Sequence, residues 1–89
     1  MSVSDRWSVR ISVSEKDGET NAEARLVMDG DTHMAGRGRA RLNPGDQDVA
    51  EIGAEIAVAR ALSDLAQRLL HAAAADVEGI THERARLHL

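Results

Sequence analysis

The sequence predicts a single α+β domain: a three-stranded antiparallel meander followed by one long helix packed on one sheet face. Three observations point there. Between residues 6 and 42, apolar and polar side chains alternate in three runs, the period of two that a half-buried strand imposes. Asp17-Gly18 and Asp29-Gly30-Asp31 separate those runs, and Asp-Gly pairs supply the positive φ angles of tight hairpin turns. From Asp48 to Val77 the residues are strong helix formers without proline, Gly53 being the one residue that opposes a helix.

The first predicted strand runs from Arg6 to Ser14, with Trp7, Val9, Ile11 and Val13 alternating with Arg6, Ser8, Arg10, Ser12 and Ser14. Trp7, the only aromatic residue, falls on the apolar side and is assigned to the core. The polar turn Glu15–Glu19 leads to a second strand, Thr20–Met28, with Ala22, Ala24, Leu26 and Met28 inward and Glu23 and Arg25 outward. The third, Thr32–Leu42, points Met34, Gly36, Gly38, Ala40 and Leu42 inward and His33, Ala35, Arg37, Arg39 and Arg41 outward. Glycine is poor in a strand, so Gly36 and Gly38 predict close approach by another backbone, the helix being the obvious neighbour. Asn43-Pro44-Gly45-Asp46 then breaks the sheet pattern.

Asp48 followed by Glu51 forms an acidic capping box, with both charges at the favourable end of the helix dipole. At about 100° per residue, Ile52, Ile56, Ala59, Leu62, Ala66, Leu69 and Leu70 share one face, widened by Val58 and Leu65. Arg60, Asp64, Gln67, Arg68 and His71 fall opposite, and Gly79 is the expected C-terminal stop. The tail from Ile80 to Leu89 fits either a short helix near Thr81 or a strand through Ala85, Leu87 and Leu89.

With 89 residues and one aromatic side chain, the core must be built from Ala, Val, Ile, Leu and Met, and it is thin. The absence of cysteine excludes disulfides and thiolate metal sites. Met1–Arg6 lacks the pattern of a secretory signal, and no apolar run approaches the ~20 residues of a membrane span. A soluble cytoplasmic protein is the expectation. The net charge of −4 is unevenly placed: residues 1–44 balance, and residues 45–89 carry four basic and eight acidic side chains. A helix from Asp48 to Val77 would be ~45 Å long, against ~30 Å for such strands. Its last turns therefore overhang the sheet, and a symmetric homodimer is the expected way to cover them.

At Ala40-Arg41-Leu42-Asn43-Pro44, Glu51-Ile52-Gly53 and the run from Ala59 to Ala66, the chain resembles a family of small actinobacterial proteins. That family is labelled domain of unknown function 1876, or dsRBD-fold-containing proteins, and the resemblance covers nearly the whole chain. It implies a dsRBD-like fold of three antiparallel strands backed by a helix, followed here by a short C-terminal extension. It implies no activity and no functional residues. The helix begins with Asp46, Asp48, Glu51 and Glu55, not with the lysines that grip phosphate in double-stranded-RNA-binding domains.

The most suggestive constellation is the outer sheet face. Parity places Arg6, Arg10, Arg25, Arg37, Arg39 and Arg41 there, six of the eleven basic residues. Arginine suits bidentate contacts with carboxylate and phosphate. The face lacks the aromatic side chains of a single-stranded nucleic-acid platform, so a solvated face or an acidic protein partner competes with an anion site. Glu51 and Glu55 stand four apart but gain no second acidic cluster for a cation. His33, His71, His82 and His88 are scattered without zinc spacing, and no nucleophile elbow is present. No catalytic, cofactor or metal site is predicted. The leading expectation is a non-enzymatic, self-associating interaction module. An anion- or nucleic-acid-binding domain using Arg37, Arg39 and Arg41 is the alternative, and an enzyme whose site forms between subunits is a distant third.

Overall fold

The computed structural model describes residues 6–41, 50–82 and 84–87. Strands β1 (Trp7–Lys16), β2 (Glu19–Met28) and β3 (Asp31–Arg41) form an antiparallel sheet in the order β1-β2-β3, and helix α1 (Ala50–Thr81) follows. The turns are shorter than expected. Only Asp17-Gly18 and Asp29-Gly30 are left out of the strands, and all four residues have positive φ, as a two-residue hairpin of matching twist requires. Lys16 therefore pairs with Glu19, and Met28 with Asp31. One register shift after Leu26, where Met34 and then Thr32 are the partners, makes His33 an extra residue on β3.

Alternation holds as read from Thr20 to Leu26 on β2 and from Met34 to Arg41 on β3; beyond the register shift it is broken, and Val27, of outward parity, is buried. Ala22, Ala24, Leu26 and Ala40 are buried under the helix with Ala57, Ala61 and Leu65, while Met28, Met34, Val58 and Leu69 border them. Gly36 and Gly38 do mark a backbone approach. A methyl group on Gly36 would stand 2.8 Å from the Leu65 Cα and closer still to the Leu65 nitrogen and the Ala61 carbonyl oxygen. One on Gly38 would meet the Ala57 carbonyl oxygen and the Ala61 nitrogen. The helix backbone thus rests directly on β3.

That proximity corrects the predicted helix face. The side against the sheet is the ridge Gly53, Ala57, Ala61 and Leu65, spaced by four, and Ile52, Ile56 and Leu62 are 39–48% exposed. Ala59 is exposed too, while the flanking Val58 and Leu65 do pack on the sheet. Arg60 and Asp64, expected on the solvent side, reach the border of β3. Size decided the matter: glycines in the strand let the helix backbone sit close, the line of contact is taken by Gly53, Ala57 and Ala61, and Ile52, Ile56 and Leu62 are turned away.

The second correction concerns β1. A helix is ~10 Å across and neighbouring strands are ~4.8 Å apart, so one helix covers two strands of three. Here it covers β3 and β2. All ten residues of β1 are exposed, with Trp7 at 55%, Val9 at 42%, Ile11 at 43% and Val13 at 48%. Trp7 is not a core residue within one chain.

The third correction is at the C-terminal end. Gly79 does not stop α1, which runs through it to Thr81. The reversal comes at His82, whose φ is 60° and whose N–H donates to the Glu78 carbonyl oxygen at 2.7 Å. Residues 84–87 form neither helix nor strand. They return beside the last turn, where the Ala85 N–H donates to Glu78 Oε1 at 2.8 Å. The helix overhangs the sheet, as its length requires, and Ile80 is 80% exposed there. Gly79 has open space where a side chain would sit. Gly79→Ala is expected to raise stability by about 0.5–1 kcal/mol through helix propensity alone, read as a higher urea midpoint. Leu42, the Asn43–Asp46 loop, the Asp48 cap, His88 and Leu89 lie outside the described residues; Glu51 occupies the first turn.

Candidate functional site

The two edges of the sheet are finished differently. In a two-residue hairpin the flanking pair, here Lys16 and Glu19, exchanges both backbone hydrogen bonds, and such pairs then alternate along the ladder. Even-numbered residues of β1 are thereby bonded to β2. Trp7, Val9, Ile11, Val13 and Glu15 direct their N–H and C=O groups to the free edge. Counted across β2, the same alternation points the backbone of Arg37 and Arg39 away from the sheet at the other edge.

At that β3 edge the helix supplies partners. The Arg37 N–H donates to Asp64 Oδ2 at 2.9 Å, and Arg60 Nη1 donates to the Arg39 carbonyl oxygen at 2.8 Å. Arg68, one turn on, donates from Nε to the same Asp64 oxygen at 3.1 Å. Asp64 and Arg60 thus block β3 against another strand, one of the ways proteins protect a sheet edge. The β1 edge has no such cover among the described residues, no proline and no bulge. Its exposed apolar row faces the helix side of the sheet, because Val9, Ile11 and Val13 lie opposite Leu26, Ala24 and Ala22. Leu62, on the flank of α1 opposite Arg60, is 40% exposed.

The Arg37 amide, seconded by Arg68, holds the Asp64 carboxyl below the usual aspartate range. A depressed carboxyl stabilises the fold above its unfolded value, about 3.9, and that contribution is lost as pH falls through the lower folded value. Acidification from pH 5 to pH 2 is therefore expected to lower the urea midpoint, and Asp64→Asn to shrink that drop.

The six predicted arginines divide. Arg10, Arg25, Arg37, Arg39 and Arg41 stand on the outer face in register, and Arg6 lies exposed just before β1. Glu23, between them, bonds Arg25 Nε through one oxygen and Arg37 Nε through the other at 3.1 Å. Those hydrogen bonds, Arg25 first, lower its pKa. Glu19 stands opposite Arg41 and Asn21 opposite Arg39, while Arg10 faces Arg25 directly. A shallow depression of about 420 Å³ at the β3 edge is lined by Asn21, Arg37, Gly38, Arg39 and Arg60. It is open and has no titratable acid or base poised for catalysis.

The lesser candidates stay apart. Glu51 and Glu55 are exposed, as are His33, His71 and His82. Among the described residues no three His, Asp or Glu side chains gather to hold a metal, and no helix is long and apolar enough to cross a membrane. What sequence reasoning missed is the edge pair Asp64 and Arg60. Their position on a supposed polar face gave no signal; only the small-residue ridge beside them would have turned the helix correctly.

Comparison with known proteins places the chain in a family. The chain is 49% identical over 85 residues to the uncharacterised protein MT1780 of Mycobacterium tuberculosis, covering 96% of this chain and 89% of the other. It is 47% identical over 75 residues to the uncharacterised protein Rv2632c of the same species, covering 84% and 80%. The crystal structure of Rv2632c matches with a TM-score of 0.81 at 44% identity, over 92% of this chain and 96% of that one. The model of the Rv2632c-like family matches residues 5–86, and the chain belongs to that family.

Proposed function

We propose that this protein is a self-associating interaction module that works by assembly and not by catalysis, with β1 as its joining edge. One observation carries the reading: β1 leaves its backbone groups and its apolar row open, while side chains of α1 seal the opposite edge. Strand-edge pairing supplies partners for the open backbone groups and brings two apolar rows together. Contiguous apolar surface on a small protein is the usual mark of association.

A second copy of the chain is the occupant that fits. An antiparallel pair related by a two-fold axis must keep both apolar rows on one side, so residues of like parity must face each other. Centring the axis on Ile11 overlaps nearly the whole strand. It sets Val9 against Val13 of the second copy, Arg10 against Ser12 and Ser8 against Ser14. A shift of the centre to Arg10 would place two arginines face to face. The result is a six-stranded sheet with a trough above its middle, walled by the two helices. The dsRBD-like frame and the resemblance to family 1876 fit this reading as descriptions of the protomer.

Light scattering on the purified protein tests it. The expected mass is twice the 9.6 kDa of the chain. A single species at 9.6 kDa, persisting at high concentration, would overturn the proposal.

A further inference from the structure

Arg10 and Arg25 are direct cross-strand partners on the outer sheet face, a like-charge opposition that disfavours the sheet unless a counter-charge is near. Among the described residues the only carboxylate hydrogen-bonded in this group is Glu23, and it is already divided between Arg25 and Arg37. Among the described residues Arg10 has no ion pair, and its neighbours on the same strand face are Ser8, Ser12 and Ser14. Two guanidinium groups thus share one carboxylate, and a third, Arg10, stands beside them without one, on a strand face otherwise lined with hydroxyl groups.

We infer that the joined β1 edges complete an oligophosphate-binding row across the two-fold axis, made by Arg25 and Arg10 of one copy and Arg10 and Arg25 of the other. This rests on the self-association proposed above. With Ile11 at the axis, the two Arg10 residues become diagonal neighbours, at ~7–8 Å, and each stands ~5.5 Å from its own Arg25. Four guanidinium groups then follow one another across the sheet, with a pair of serine hydroxyls, one Ser12 from each chain, beside the centre. Two Glu23 carboxylates remain, each occupied by its own Arg25 and Arg37. A chain of phosphates matches this arrangement: several negative charges in line, each able to accept two N–H donors from a guanidinium plane. A single carboxylate or phosphate would meet only part of the row. One protomer alone holds half of it.

Titration calorimetry with tripolyphosphate at low salt is the test, with light scattering on the same samples. Expected are one tripolyphosphate per two chains, at least tenfold weaker binding by Arg10→Ser with the dimer mass unchanged, and unaltered binding by Arg41→Ser, which lies off the row. A dimer that takes no tripolyphosphate, or takes one per chain, overturns this inference and leaves the self-association reading standing. Equal binding by Arg10→Ser, or loss in Arg41→Ser, overturns it as well. A monomeric wild-type protein overturns both. Competition by a short single-stranded oligonucleotide identifies a nucleic-acid backbone as the phosphate source, whereas displacement by pyrophosphate alone identifies a free oligophosphate; either supports the row.

Discussion

Gly36→Ala and Gly38→Ala are each expected to destabilise the fold by about 3 kcal/mol or more, at or beyond the upper end of ordinary overpacking. The added methyl groups meet backbone atoms of Ala57, Ala61 and Leu65, which cannot rotate aside as a side chain can. Relief therefore requires the whole helix to lift from β3, opening the packing of Ala22, Ala24 and Leu26 beneath it. A domain of this size has only about 5–10 kcal/mol to lose, so the double variant should be unfolded. Urea denaturation followed by circular dichroism checks this, with single-variant midpoints expected to fall by about 2 M or more. Gly53→Ala provides the contrast. Its methyl would come 3.0 Å from Thr20 Oγ1, a side-chain atom and not helix or strand backbone, and better helix propensity offsets the crowding. A stability change within about 1 kcal/mol is expected there. Equal losses at Gly36 and Gly53 would show that the close backbone contact is not what sets the cost.

If β1 joins two copies as proposed, Ile11→Pro is expected to yield a monomer while leaving the protomer folded. Proline removes the N–H of residue 11, which the ladder count directs to the open edge of β1, so no bond within the chain is lost. In the proposed pairing that same N–H lies at the two-fold axis, and its loss, together with the ring's bulk, would prevent pairing. Self-association should weaken by 100-fold or more, read as a mass of 9.6 kDa by light scattering at concentrations where the native protein is a dimer. Ser12→Pro is the matched control. The Ser12 N–H points to Glu23 on β2, so this variant should damage the sheet itself. If the two proline variants behave alike, either the ladder phase or the role of the edge is wrong.

The strands were legible because a period of two survives whatever packs on the sheet. Asp17-Gly18 and Asp29-Gly30 fixed the turns through a local φ preference, and the pairing register followed from them. Gly36 and Gly38 announced a close neighbour for an equally local reason. The helix was legible in its existence but misread in its orientation. Weighting Ile52, Ile56 and Leu62 by hydrophobicity pointed them inward, yet the contact selects by size and takes Gly53, Ala57 and Ala61. The end of the helix was misread at Gly79, since a glycine weakens a helix without obliging it to stop. The register puts Arg10, Arg25, Arg37, Arg39 and Arg41 on one side of the sheet, but Glu23's hold on Arg25 and Arg37 depends on side-chain reach across strands.

By itself the sequence determined the three strands, the two turns, the presence of a long helix and, away from the bulge at His33, the side of the sheet on which the strand residues stand. These are consequences of backbone preference and side-chain period, which act over a few residues. Only the tertiary structure decided which strands the helix covers, which way it is rolled, and therefore which edge is sealed and which is open. Those outcomes turn on the width of one helix against three strands and on the volume of residues that meet across the interface. Neither quantity is written in any single stretch of the chain.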